Sequence, residues 1–368
     1  MTERQNRIAI LTFHNTTNYG ASLQVFALQK YLKNIGENVF VLDYSNNRIM
    51  QNHKRISFFG QTINLKSIML YFLIGAQKNK KNDAFEKFSE KMISLSEKRY
   101  NKFTIKDSNT EFDTIIVGSD QVWNYRITNN DSTYLLDFVD EDKVLSSYAG
   151  SFGVEELPEE LIPTYSTLLK RINFLSVRET HGQKIIHDIL GKSVPVVLDP
   201  IFLLEKSDWN KIALYSGPSN LKYILLYVFG RPKNLFKVAR KISKVTGWRI
   251  YIIGFDYRRE FGFHYLGNVG PQEFVGYLMN AAIVLTNSFH GTALSINLNK
   301  QFYMDFLPEI TGVNSRLSYL VELFQLQNRI IHCDNSVDLN EKIDYSKINK
   351  IIEVERRNAF DFLDLIRT

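Results

Sequence analysis

Three short polar clusters join an ionisable side chain to a strand end or a glycine, the combination that anion binding and proton transfer require. The first is Asn287-Ser288-Phe289-His290-Gly291-Thr292, set between an apolar run and a helical pattern. A helix start there would offer free N–H groups and a favourable dipole to a phosphate. Gly291 would admit close approach of the backbone, and an imidazole at His290 can bind phosphate or move a proton near neutral pH. The plainer alternative is a structural His290 that donates to a carbonyl at the helix start. The second cluster centres on Arg178, at the end of a predicted strand. Its planar fork can take a phosphate or carboxylate through two hydrogen bonds, or it can pair with Glu179 next to it. The third, Ser119-Asp120-Gln121, closes a buried strand; Asp120 is either a base for an attacking hydroxyl or a cap for the next helix. Trp123 is either a surface on which a ring could stack or a buried aromatic. Asn18, Tyr19 and Gly20 open the first helix and could cradle phosphate or hydroxyls, or act as N-cap and turn. No GxGxxG pattern accompanies them, which argues against a dinucleotide. His14, His181, His187 and His264 have no comparable context and read as surface or core residues.

The elements that must position these groups alternate short β-rich runs with helical patterns, which predicts parallel sheets wrapped by helices. Residues 7–13 read as a first strand, 21–35 as a helix closed by Gly36, and 38–44 as a second strand. Strands are also expected at 112–117, 143–148, 174–177 and 194–198, with a helix over 156–172. A second series follows: strand 223–229, helix 234–246, strand 249–254, helix 271–279, strand 282–286 and a further helix after the loop 287–291. The expected fold is α/β, with two Rossmann-like domains facing a cleft in the GT-B-like manner. Residues 1–200 would form the first domain, 201–345 the second, and 346–368 a helix that crosses back to the first. Ligands in such sheets sit beyond the carboxyl ends of the strands.

The 368 residues are 44% hydrophobic and 23% charged, an ordinary globular balance. The single Cys333 excludes an intrachain disulfide framework and a thiolate-built metal site, and no ligand cluster for a metal is visible. The polar residues 1–7 lack the apolar core of a signal peptide. The longest apolar run, 68–75, is far short of the roughly 20 residues needed to span a bilayer. A cytoplasmic protein is expected. The net charge of +6 is uneven: residues 48–106 hold thirteen Lys or Arg against four Asp or Glu. This stretch reads as a basic helical insert whose lysines are solvated, or as a peripheral contact, at the inner face of the membrane, for anionic lipid or a lipid-pyrophosphate-linked sugar. No nucleic-acid-binding motif accompanies the charge, so nucleic acid is not an expected partner.

Six strand-to-loop junctions carry a resemblance when taken in order. They are Asn18-Tyr19-Gly20-Ala21-Ser22-Leu23-Gln24, Val117-Gly118-Ser119-Asp120-Gln121-Val122-Trp123-Asn124 and Ser147-Tyr148-Ala149-Gly150-Ser151-Phe152-Gly153, followed by Ser176-Val177-Arg178-Glu179, Leu198-Asp199-Pro200 and Thr286-Asn287-Ser288-Phe289-His290-Gly291-Thr292. Together they resemble the polysaccharide pyruvyl transferase family from the first strand to the end of the second half. The resemblance implies a GT-B-like fold and phosphoenolpyruvate as donor substrate, with no cofactor and no metal. The acceptor it implies is a saccharide of the cell surface or its lipid-pyrophosphate-linked precursor. It points to Arg178 as a donor ligand and to His290 as a donor-site and catalytic residue, with Ser288, Gly291 and Thr292 beside it. Acceptor contacts would then come from Asn18, Tyr19, Gly20, Ser119, Gln121 and Trp123, with Asp120 as base. Many relatives carry Arg-Leu-His where this chain has Ser288-Phe289-His290; Arg316, near the start of a late helix, could replace the missing cation. Two rival readings are a GT-B glycosyltransferase using a nucleotide sugar and a non-catalytic saccharide-binding member of the fold.

Overall fold

A computed structural model describes residues 6–46, 49, 75–254, 259–308, 314–331 and 337–367. Strand β1 (Arg7–Leu11) is apolar and buried over its last four residues, and helix α1 (Tyr19–Asn34) follows it. Asn18 starts that helix by accepting from the N–H groups of Gly20 (2.9 Å) and Ala21 (3.3 Å), a cap worth about 1 kcal/mol. Then come β2 (Asn38–Tyr44), α2 (Ala76–Met92), β3 (Leu95–Tyr100), β4 (Thr114–Val117), β5 (Val144–Gly150), α3 (Ile162–Leu169), β6 (Phe174–Val177) and α4 (Thr180–Leu190). These six strands form one parallel sheet in the order β3-β2-β1-β4-β5-β6.

The chain continues through α5 (Lys206–Ile212), β7 (Tyr223–Tyr227), α6 (Lys233–Thr246), β8 (Arg249–Ile253), β9 (Phe263–Leu266), α7 (Pro271–Asn280), β10 (Ile283–Thr286), α8 (Phe289–Asn297), β11 (Phe302–Met304), α9 (Ser315–Leu323) and α10 (Tyr345–Arg367). The second sheet is also parallel, in the order β11-β10-β7-β8-β9. All five residues of β7 are buried, as expected of a central strand covered on both faces. In each sheet the strand order reverses beside the first strand, between β1 and β4 and again between β7 and β10. Loops leaving neighbouring strands at such a point part to opposite faces and leave a crevice.

A continuous apolar core joins the two sheets. The Tyr19 ring stacks on Phe274 at 4.6 Å and meets Phe85 at 4.9 Å and Tyr227 at 5.6 Å, while its hydroxyl donates to the Val269 carbonyl at 2.7 Å. Helix α10 crosses back as expected: Phe360 stacks on Tyr31 at 4.6 Å, Phe362 lies against Tyr148, and Arg367 pairs with Glu37 at 2.6 Å.

Several expectations need correction. The stretch 48–106 is not wholly helical, because β3 within it pairs with β2 as the edge of the first sheet. Its exposed Glu97, Lys98 and Arg99 masked the strand. Residues 48 and 50–74 of that stretch, with most of the apolar run, lie outside the described residues, as do residues 1–5, 47 and Cys333. Residues 194–198 make only a single bridge, Val177 to Val196. The helix expected over 156–172 is confined to α3, which starts beside Pro163 after a short 3-10 turn at Glu159–Leu161. Strands β9 and β11 and helices α4 and α5 were not anticipated. No described helix is long and apolar enough to cross a membrane.

Candidate active site

The loops at the two strand-order reversals face each other across a cavity of about 280 Å³. Phe13, Thr16 and Asn18 reach it from beyond β1, and Asp120 and Gln121 from beyond β4. The second sheet contributes Phe229 after β7 and Asn287, Ser288, Phe289 and His290 after β10, while α9 contributes Asn314, Arg316 and Leu317. Ser288 starts helix α8 by accepting from the Gly291 N–H at 3.3 Å, and its own N–H donates to Thr286 Oγ1 at 3.0 Å. Phe289 and His290 thus occupy the first turn of α8, at the positive end of its dipole.

A buried charge network lies beneath this cavity. Asp199 Oδ2 takes a hydrogen bond from Arg178 Nη1 at 2.7 Å and faces His290 Nε2 at 3.5 Å, the outer limit of a hydrogen bond. Arg178 is also 3.5 Å from Asp120 Oδ1 and 3.9 Å from Glu179 Oε2. Burial alone would raise the Asp199 carboxyl; the facing His290 imidazole and Arg178 guanidinium outweigh it and hold it well below the usual carboxylate range. Glu179 is fully buried and pushed up by that burial, although it accepts from Ser151 Oγ at 2.8 Å. Burial lowers Arg178, and the surrounding carboxylates more than reverse this.

Arg316 differs from Arg178. It is only 7% exposed, yet its Nε has no hydrogen-bond partner and its guanidinium pairs with no carboxylate among the described residues. Burial and the neighbouring Arg178 bring it down to about 10. The Phe289 ring has both guanidinium groups near it, Arg178 at 4.6 Å and Arg316 at 5.6 Å. Arg316 also sits in the first turn of α9, where the helix dipole disfavours a cation. Glu179, Asp120 and Asp199 offset this only in part.

A family model for polysaccharide pyruvyl transferases matches residues 18–304, from the start of α1 to the end of β11. The chain belongs to the polysaccharide pyruvyl transferase family. A search of curated proteins finds no significant match. Among solved structures, the chain is similar to a UDP-GlcNAc 2-epimerase from Methanocaldococcus jannaschii, with 13% identity, 96% of this chain and 93% of that one covered, and a TM-score of 0.51. A glycosyltransferase from Rickettsia africae aligns at 14% identity over 99% of this chain and 96% of the other, with a TM-score of 0.47. The first likeness carries the fold and nothing more, and the fold is the two-sheet α/β, GT-B-like arrangement expected from the sequence.

Within this pyruvyl transferase fold, the residues singled out from sequence fall into three groups. His290, Ser288, Asp120, Gln121, Asn18 and Arg316 line the cavity together. Asp120 does not cap the next helix, Tyr125–Thr128, which Asn124 starts; its Oδ1 accepts from the Gln121 N–H at 2.9 Å and faces Arg178 at 3.5 Å. Its φ of +74° is unusual for a residue other than glycine. Arg178, Gly291, Thr292 and Gly20 form the second group, behind the lining. Gly20 presses so closely on His290 that a Cβ there would lie 2.0 Å from Nδ1.

The third group is a correction. Trp123 is fully buried, packs on Phe152 at 5.1 Å and donates to the Tyr134 carbonyl, so it has no face for a sugar. Tyr19 belongs to the core between the sheets. Ser119 is fully buried and spends its hydroxyl on Asp199 at 3.3 Å and on Arg178. Asp199 and Glu179 were missed as members of the site. The Asp199-Pro200 pair reads locally as a turn, and only its place among the six junctions hinted at more.

Proposed function

We propose that this protein transfers the pyruvyl group of phosphoenolpyruvate to a sugar of a cell-surface polysaccharide or its lipid-linked precursor, forming a cyclic ketal. The observation that carries this reading is the buried Arg316, whose Nε has no hydrogen-bond partner among the described residues, in one cavity with His290 at a helix N-terminus. That combination suits a small dianion bearing phosphate and carboxylate. A cavity of about 280 Å³ lies near the lower end of small-molecule sites, about 300–1,000 Å³, which favours such a donor over a nucleotide sugar.

In this mechanism Arg316 and the first turn of α8 hold the donor, and Asp199 faces Nε2 of His290 at 3.5 Å, a nitrogen with no hydrogen-bond partner among the described residues. The imidazole gives a proton to the methylene carbon of the donor, and C2 becomes electron-poor. One sugar hydroxyl adds to C2 and its proton returns to His290. Phosphate departs, carrying the proton of a second hydroxyl that closes the ketal. Fixed N–H and guanidinium donors stabilise the leaving charge. Arg178 acts behind the cavity by holding Asp199 and Asp120 in place.

The test is phosphate release from phosphoenolpyruvate with lipid-linked saccharides of the source cell, with mass analysis for an added pyruvate ketal. His290→Ala is expected to reduce release by at least a hundredfold. Activity within a few-fold of the parent would remove His290 from the chemistry.

A further inference from the structure

Large apolar side chains left exposed are few among the described residues, and of these only Phe229 lines the cavity between the sheets. It stands just beyond β7, 44% exposed, with its ring centroid 5.8 Å from that of Tyr227. One side chain holds its backbone on both sides. The Phe229 N–H donates to Asn287 Oδ1 at 2.7 Å, and its carbonyl accepts from Asn287 Nδ2 at 3.0 Å. Asn287 immediately precedes Ser288, the N-cap of α8, so the backbone that carries the ring is tied to the turn that carries His290. The other two phenyl rings of the cavity are already engaged. Phe13 is buried and meets Tyr134 edge-on at 5.2 Å, and Phe289 is buried beside the guanidinium groups of Arg178 and Arg316.

Holding an apolar ring open to water costs free energy that a bound group recovers by covering it. The face of a phenyl ring carries the negative part of its quadrupole, so it suits neither phosphate nor carboxylate. C–H groups pack on it by dispersion. Across the cavity, Asn18 Oδ1 caps α1 and Gln121 Oε1 accepts from Asn124 Nδ2 at 2.8 Å. The amide nitrogen of each side chain has no partner among the described residues. An apolar face on one wall and N–H donors on the other match a sugar ring, which has C–H groups on a face and oxygens at its edge. We propose that Phe229 is the stacking surface for the acceptor, a pyranose whose C–H face lies on the phenyl ring while Asn18 and Gln121 hold its oxygens. The proposal rests on the transferase reading above and gives Phe229 the role expected of Trp123.

The test is saturation-transfer NMR on the intact protein with methyl glycosides of common neutral and amino hexoses, with and without phosphoenolpyruvate. Circular dichroism serves as the fold control. At least one glycoside is expected to bind, with saturation strongest at the C–H groups of one ring face. Phe229→Ala and Phe229→Leu are each expected to weaken it by at least about fivefold, and Phe229→Trp to bind it within about twofold of the parent or more tightly. Unchanged affinity in Phe229→Ala or Phe229→Leu overturns the proposal, as does binding of no glycoside to the parent. Uridine diphosphate is run in parallel. If it binds, loses affinity in Phe229→Ala, and no glycoside binds, the ring face belongs to a nucleobase, which overturns both this proposal and the donor reading. A thermal shift with phosphoenolpyruvate that persists while neither glycoside nor nucleotide binds leaves the donor reading standing and overturns the stacking surface alone.

Discussion

A guanidinium buried beside a second guanidinium, in the first turn of a helix, costs free energy until an anion joins it. Arg316 is in this position. Its folded-state pKa lies below the ordinary value, so the cost is present while the group is protonated and is relieved as pH rises through about 10. Replacing Arg316 with Met is therefore expected to stabilise the ligand-free protein by about 1–2 kcal/mol. The same change should remove most of the stabilisation that phosphoenolpyruvate gives, both read as melting temperatures. In the parent, donor affinity should fall as pH rises through that value. His290, Arg178 and Arg316 were legible as site residues because a charged side chain at a strand end or helix start has few neutral explanations. Asp199 and Glu179 were not, since nothing in the local sequence distinguishes a carboxylate buried against a guanidinium from one in a turn or on the surface.

At the scale of elements, the cleft follows from two strand-order reversals that bring the loops after β1, β4, β7 and β10 together. Gly20 is the narrowest point of that meeting, where α1 touches the His290 ring. An Ala there would improve intrinsic helix propensity by up to about 1 kcal/mol. It would nevertheless push the imidazole away from Asp199. Gly20→Ala is expected to keep its helical circular dichroism while phosphate release drops more than tenfold. Strongly periodic or continuous apolar elements, such as α1, β7 and α6, were read from sequence nearly to their ends. Strand β3 was hidden by its exposed charges, and β11, at three residues, was too short to show an alternation. The segment 194–198 has a strand's composition but only one bridge, because composition reports burial better than pairing.

Over the whole molecule, α10 leaves the second sheet and packs on α1 and β5. Leu363 on this helix is fully buried. Leu363→Ala should cost about 2–5 kcal/mol, measured by urea denaturation, and the unfolding curve should stay a single transition because one apolar core joins both sheets. The crossing helix also bears on biosynthesis. Tyr31 and Tyr148 acquire their Phe360 and Phe362 neighbours only after more than two hundred further residues have been translated. The earliest-made layer must therefore wait on the ribosome with an uncovered greasy flank, an interval in which chaperones rather than the fold itself would keep it from sticking to other nascent chains.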